Sequence, residues 1–422
     1  MKNLLIKLSS ATLLVCSMSA AQEIATWAGF RQGATVFTFD DGAPSHISLV
    51  APEFDKFGYK ASFYVVTNWI GNQYHKVLDW SGWQTLANNG HEIGSHSDSH
   101  PNGAVMPDSE IASSKNTINS NVKGQVCNTI TYPNCQEPDE ATLKQNYIGG
   151  RICDGQIISK SPSNYYRLSS IGTGSADNRV TTTQNFTDLM NQAANQGGWV
   201  VFLTHGLAES DAVNGFASYS PTNLSAISGA LAWAKQNDAK VWVTTFRNAI
   251  MYAQERDAST LALKSSDTQS VTYTLTHSLS TNIAPFDYPL SIRVQNTNNW
   301  SSVSASQAGA KIDAIIKDGF IYLDAVPNGG DILIVDGNAI SSSSSGEEEA
   351  IKPIKGNLPL AVFIENGAIT VTGAQGIDIA VFNSLGQKIR ETRGLGCEQK
   401  VYAGAKGMYI VKVGNKTFPV SL

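Results

Sequence analysis

Residues 35–42 read TVFTFDDG: five β-branched and aromatic residues, two adjacent carboxylates, then a glycine. A short apolar run of that composition, stopped by turn formers, marks a buried strand. The theme recurs in ASFYVV (61–66), HEIGS (91–95), IGGRI (148–152), YYRLSS (165–170), WVVFLT (199–204) and VWVTTF (241–246). Helix-like stretches such as NLSAISGALAWAKQND (223–238) stand between them. Near-continuous apolar strands alternating with helices imply a parallel sheet covered by helices. The number of such strands before residue 260 favours a closed barrel over an open sheet. In barrels of this kind the chemistry gathers at the C-terminal strand ends.

Those ends carry reactive side chains. Asp40 and Asp41 follow TVFTF, His96 and His100 follow HEIGS, and His205 follows WVVFLT, in a chain with seven histidines. HEIGSH is not the zinc-protease pattern H-E-x-x-H. His91 and His96 are five apart, which on a helix turns them about 140° from each other. Gly94 and Ser95 also make a poor helix interior. His91 is expected to open a strand, while His96 and His100 remain as a chelating pair. Taken singly, each feature has an ordinary reading: Asp-Asp as a turn or helix cap, a strand-end histidine as a donor to a carbonyl. Three such ends on one face favour a metal. Two histidines and a carboxylate form a common metal shell with open positions, and the remaining aspartate and histidine suit a general base and acid.

The organisation beyond the barrel is also written in composition. MKNLLIKLSSATLLVCSMSAAQ carries Lys2 and Lys7, an apolar stretch and then small residues. It reads as a secretory signal over 1–21, too short for a membrane span, and no other segment is expected to cross a bilayer. The barrel is expected over 22–260. SVTYTLTHSL, YPLSIRVQ and GFIYLDAVP then alternate with period two, giving a β-rich accessory domain over 261–336. SSSSSGEEE lies within a linker over 337–355, and 356–422 is a second small all-β domain. The net charge of −5 with no basic block argues against nucleic acid. Export permits disulfides, and Cys127 and Cys135, which flank the turn-like NTITYPN, are the expected pair; Cys153 and Cys397 have no assigned partner.

TFDDG (38–42), HSDSH (96–100) and FLTHG (202–206), in that order, resemble motifs of the polysaccharide deacetylases, the NodB-homology or carbohydrate esterase 4 family. The resemblance implies a distorted (β/α)7/8 barrel, NodB-like, followed here by two small all-β domains. It implies that Asp41, His96 and His100 bind a divalent ion, zinc first, with cobalt, manganese or nickel as alternatives. Asp40 would be the general base and His205 the general acid. The chain departs from the family at its third motif, Arg-x-Pro-aromatic: TYPN keeps Pro133 but has Thr131 where the arginine is expected. The fourth motif has no counterpart in order. Arg151 or Arg167 would supply a replacement guanidinium, each being otherwise an ordinary structural arginine, and the Tyr132 backbone N–H is a candidate oxyanion donor.

The expected activity is removal of N- or O-linked acetyl groups from an acetylated polysaccharide or oligosaccharide: acetylxylan, a chitin-like oligomer or peptidoglycan. Trp69, Tyr74, Trp80 and Trp83 suit stacking on sugar rings, or else the core. The alternative is a catalytically impaired carbohydrate-binding or adhesive surface protein on the same fold, supported by the missing arginine motif and the β-rich domains. IDIAVFNSLGQKIRE and the closing GMYIVKVGNKTFPVSL are similar to C-terminal sorting domains of type IX-secreted bacterial proteins. That likeness implies contact with a secretion machinery and a secreted or surface location in a Gram-negative-type bacterium.

Overall fold

The computed structural model describes residues 21–176, 179–211 and 219–338, and strands of the tail between 361 and 421. The expected signal segment before residue 21, most of the expected linker and Cys397 lie outside the described residues. After a first strand β1 (Gln22–Ile24), eight strands form one parallel sheet. They are β2 (Gly33–Phe39), β3 (Ser62–Val65), β4 (Glu92–Ser95), β5 (Thr129–Thr131), β6 (Gly149–Arg151), β7 (Ile171–Gly172), β8 (Trp199–Thr204) and β9 (Val241–Thr244). Their order is β6-β5-β4-β3-β2-β8-β7, with β9 also beside β2. Leu168, just before β7, makes a parallel bridge to Arg151 at the end of β6. The Ile152 N–H donates to Leu168 O at 2.8 Å and the Leu168 N–H to Gly150 O at 3.0 Å. The two ends of the order therefore meet, and the sheet closes as a distorted (β/α) barrel.

Burial explains why these segments are strands. Every residue of β2 and β8 is buried, as befits central parallel strands covered on both sides. Phe37 of β2 packs edge-on to Phe54 of helix α1 (Ala51–Phe57), and stacks on Phe186. The helices α2 (Trp80–Asn88), α3 (Asp108–Asn121), α4 (Glu140–Asn146), α5 (Thr183–Asn195) and α6 (Leu224–Gln236) follow along the chain, then α7 (Phe246–Ala258). In α5 the buried residues Phe186, Met190, Ala193 and Ala194 recur at helical spacing, and Thr182 with Asn185 forms a capping box.

Two strands differ from expectation. YYRLSS is not a strand: the Asn164 side chain accepts the Tyr166 N–H at 2.7 Å and turns the chain, so that Tyr165 O accepts the Gly150 N–H at 2.9 Å but a bridge to β6 forms only at Leu168. NTITYPN is not merely a turn, because it contains β5 between β4 and β6. That strand stretches the chain between Cys127 and Cys135, and the expected bond between them does not form. Cys135 instead joins Cys153, each lying just beyond the end of neighbouring strands β5 and β6, and Cys127 is a free, buried thiol.

The chain divides into two compact units. One comprises the residues up to Arg31, Met251–Ser280 and Phe286–Ser341; the other includes Gln32–Ile250. β1 pairs antiparallel with Leu290–Gln295 of a four-stranded sheet, and the Tyr252 hydroxyl of α7 donates to Ala25 O at 2.9 Å. A three-residue strand carries too little periodicity to announce that pairing. A five-stranded antiparallel sheet completes this unit. The tail forms two further antiparallel sheets, three- and four-stranded, around Ile369, Val371, Ile379, Val381 and Val411.

Candidate active site

β2 delivers Asp40 and Asp41 together, and the turn beyond it is strained. Asp41 has φ 74°, a left-handed value that costs a residue with a Cβ of the order of 1–3 kcal/mol. Gly42 follows at φ 76°, where a Cβ would stand 2.5 Å from the Trp83 ring. Glycine is required at that step of DDG. β4 delivers His96 directly, and Ser97 and His100, both at positive φ, curl the loop so that His100 returns to the same place. The pair that sequence spacing offered as a chelate is built on this loop and not on a helix.

His96 Nε2 lies 3.6 Å and His100 Nε2 3.9 Å from Asp41 Oδ1, and one ligand atom from each residue falls within 4.8 Å of the others. Tetrahedral ligands at zinc distances stand roughly 3.4 Å apart. Asp41 Oδ1 is buried and has no hydrogen-bond partner among the described residues, an acceptor left open for a cation. His96 Nδ1 lies 2.8 Å from the Thr131 carbonyl. A carbonyl only accepts, so Nδ1 carries the hydrogen and the Nε2 lone pair faces Asp41, as metal-binding histidines are commonly oriented. Burial pushes His96 down to about 3 and lowers His100, keeping both neutral. Burial and the neighbouring Asp40 charge raise the Asp41 carboxyl well above its ordinary range. The residues fit a divalent ion.

Asp40 is treated differently by its surroundings. Arg151 Nη2 donates to Asp40 Oδ1 at 2.6 Å and to Oδ2 at 2.5 Å. Burial would raise this carboxyl, but the Arg151 charge, joined by His96 and His205 when those are protonated, opposes it and holds it at about 2. Thr131, where the family expects arginine, places Oγ1 3.4 Å from Asp40 Oδ1 and 2.8 Å from His96 Nδ1. Of the two arginines singled out in the sequence, only Arg151 reaches the site. Arg167 is half exposed and ion-paired with Glu137.

His205 leaves the end of β8 and lines the same cavity of about 720 Å³ as Asp40, Asp41, His96 and His100. Burial holds it down at about 4, against the pull of the Asp40 charge. Tyr132 also lines the cavity, but its N–H donates to Arg151 O at 3.3 Å, continuing the β5–β6 ladder. It is therefore engaged rather than held out for an oxyanion. Pro133 is buried and starts the turn Pro133–Cys135. Of the aromatics, Trp69 lines the cavity and packs against His100 at 5.3 Å, Trp83 is core, and Tyr74 is exposed. Sequence reasoning did not single out His75, stacked on Trp69, nor Tyr219, edge-on to His205, nor His46, whose Nε2 meets His205 O.

A barrel with three histidines, two aspartates whose carboxyls are shifted in opposite directions and a buried guanidinium at its strand ends defines a candidate hydrolase. Residues 29–151 match the polysaccharide deacetylase family. Residues 353–420 match a domain of unknown function. The chain is 27% identical over 395 residues to a gellan lyase of a Bacillus species, spanning 86% of this chain and 15% of that protein's length. Among solved structures it is similar to a family 4 acetyl xylan esterase from Clostridium thermocellum with a cobalt ion (18% identity, 53% and 91% of the two chains, TM-score 0.36). It is also similar to the Xyl-CE4 domain of a multidomain xylanase from the hindgut metagenome of Trinervitermes trinervoides (19%, 51% and 89%, TM-score 0.34).

Proposed function

We propose that this protein is a metal-dependent deacetylase of an acetylated polysaccharide. The observation that carries the reading is the convergence of Asp41, His96 and His100 in one cavity with the Arg151-held Asp40 and with His205. A divalent ion, zinc by preference for this donor set, would be held by Asp41, His96 and His100 and would supply Lewis-acid polarisation there. The remaining work falls to the chain's own side chains. Asp40, ionised and oriented by Arg151, accepts the proton of the water that attacks the acetyl carbon. His205 hands a proton to the sugar nitrogen or oxygen as its bond to that carbon breaks. Burial keeps the resting imidazole neutral, so His205 takes up a proton from solvent before handing it on, and the proton held by Asp40 returns to solvent as acetate leaves.

Trp69 and Tyr219 on the cavity wall support a sugar ring as the group presented. Likeness to a gellan lyase adds gellan to the polymers worth testing. Export is proposed from the signal-like N-terminus and is supported by the Cys135–Cys153 disulfide; the tail is proposed as a sorting domain. The test is metal content together with acetate release from acetylated xylan, N-acetylglucosamine oligomers and acetylated gellan. A protein that binds zinc yet releases no acetate from any of them would sink the reading and favour the binding-protein alternative.

A further inference from the structure

The loop leaving β2 ends at His46, which opens a single π-helical turn, His46–Val50. Such turns are rare and frequently mark functional sites. His46 is fully buried, edge-on to Phe39 and tilted against Phe63, with ring centroids 5.5 and 5.4 Å away. Its Nε2 lies 2.9 Å from the backbone oxygen of His205. Because that oxygen only accepts, Nε2 carries the hydrogen, and Nδ1 has no hydrogen-bond partner among the described residues. Burial holds this imidazole down at about 4, so near neutral pH it keeps that one tautomer. A buried histidine needs some partner; here the partner is the backbone of the candidate acid.

Two consecutive carbonyls at the end of β8 thus receive hydrogen bonds from one loop. Thr204 O accepts the Asp40 N–H at 2.9 Å, and His205 O accepts the His46 ring N–H. On the far side Thr222 N–H donates to Gly206 O at 3.1 Å, and Asp211 Oδ2 accepts the Leu207 N–H at 2.7 Å. The loop bearing Asp40 and Asp41 is fastened to the loop bearing His205 at adjacent points. Of those two fastenings, only His46 is a side chain that substitution can remove.

We infer that His46 is a positioning residue for His205, its Nε2–H fixing the His205 carbonyl and with it the direction in which that imidazole enters the cavity. The kinetic consequence rests on the proposed deacetylase reading; the geometric one does not. His46→Phe keeps an aromatic ring between Phe39 and Phe63 without a donor. His46→Gln carries an amide N–H at the same number of bonds from Cβ. In the full-length protein loaded with zinc, His46→Phe is expected to lower kcat about 10²-fold at unchanged KM and zinc content, with His46→Gln within about threefold of wild type. In ¹⁵N-histidine spectra of the same proteins, the His205 ring resonances, assigned through His205→Asn, should move in His46→Phe and stay in place in His46→Gln. If His46→Phe does not fold, His46→Asn, whose amide is one bond too short, takes its place against His46→Gln. Equal kcat and unmoved resonances in both variants would overturn the inference, as would equal losses in both with lowered thermal stability. Resonances that shift in His46→Phe, beside a wild type that deacetylates nothing, would overturn the deacetylase reading and leave the positioning role standing.

Discussion

The cavity has two sides that are built in opposite ways. On the metal side, His96 and His100 come from one short loop, held by left-handed residues, and Asp41 keeps an unsatisfied buried oxygen. On the proton-handling side every contact is long-range: Asp40 meets Arg151 across 111 residues of sequence, and His46 meets His205 across 159. One side is a chelate that local chain geometry nearly completes. The other is a network that exists only once the barrel has closed. The comparison implies separable functions: damage to the first should show as lost metal, damage to the second as lost turnover at full metal occupancy.

The adjacent aspartates give the largest test, because the turn brings Asp41 to His96 and His100 while Asp40 is held by Arg151. Asp41→Asn should weaken metal affinity strongly, with activity partly restored by added metal. Asp40→Asn should keep the metal and lose turnover by up to about 10⁴-fold, since an amide cannot accept the water proton. Metal content and acetate release are measured on the same preparations. Rescue of Asp40→Asn by metal would erase the distinction between the two sides.

His205→Asn comes next. It should retain metal and lose about 10²–10⁴ in turnover on amides and alkyl esters, and less on aryl acetates, whose leaving groups need no proton. Equal losses on both kinds of substrate would remove the acid role.

Arg151 is the member that links activity to stability. Arg151→Met strips a buried carboxylate of its partner and should cost about 3–5 kcal/mol in urea unfolding. The sign of its pH dependence follows from Asp40. A carboxyl depressed from 3.8 to about 2 contributes stability that is present above its unfolded value and lost as pH falls through the folded one. Without Arg151 that contribution disappears, and acid unfolding should begin at higher pH. Arg151→Lys keeps a charge but not the planar guanidinium that reaches Asp40 through Nη2 and Ser170 through Nη1, and should recover stability before turnover. Identical acid unfolding of wild type and Arg151→Met would show that the pair does not tune Asp40.

These differences also explain what the sequence could tell. Asp40, Asp41, His96, His100 and His205 were legible because parallel strands release their side chains at one barrel end, so strand position alone assigns the face. Arg151 could be named only as one of two candidates. Arg167 sits in a similar polar context, and closure at Leu168, which no periodicity marks, decides between them. The Cys127–Cys135 pairing failed for a different reason: β5 hides in a segment that composition reads as a turn, and the bond forms between Cys135 and Cys153. His46 carries no signal beyond its place in a loop, since its partner is a backbone oxygen and any residue type supplies one.

Thr131 gives the smallest effect and the closest test of the two-sided picture, because its hydroxyl touches both sides. Oγ1 lies 2.8 Å from His96 Nδ1 and 3.4 Å from Asp40 Oδ1. Thr131→Val removes that hydroxyl from a strand position a β-branched residue suits, while the backbone carbonyl that orients His96 remains. The metal side should therefore be unaffected, with zinc affinity unchanged. The Asp40 side loses one long, weak donor of the order of 0.5–1.5 kcal/mol, so turnover should fall several-fold and no more. Zinc affinity by competition with a chelator and kcat on one acetylated substrate decide the matter. If affinity falls while kcat at saturating zinc holds, Thr131 belongs to the metal side, and its hydroxyl rather than its carbonyl sets the orientation of His96. If both fall together, the two sides are coupled through this residue, and the substitution of threonine for the family's arginine has tied metal and base into a single unit.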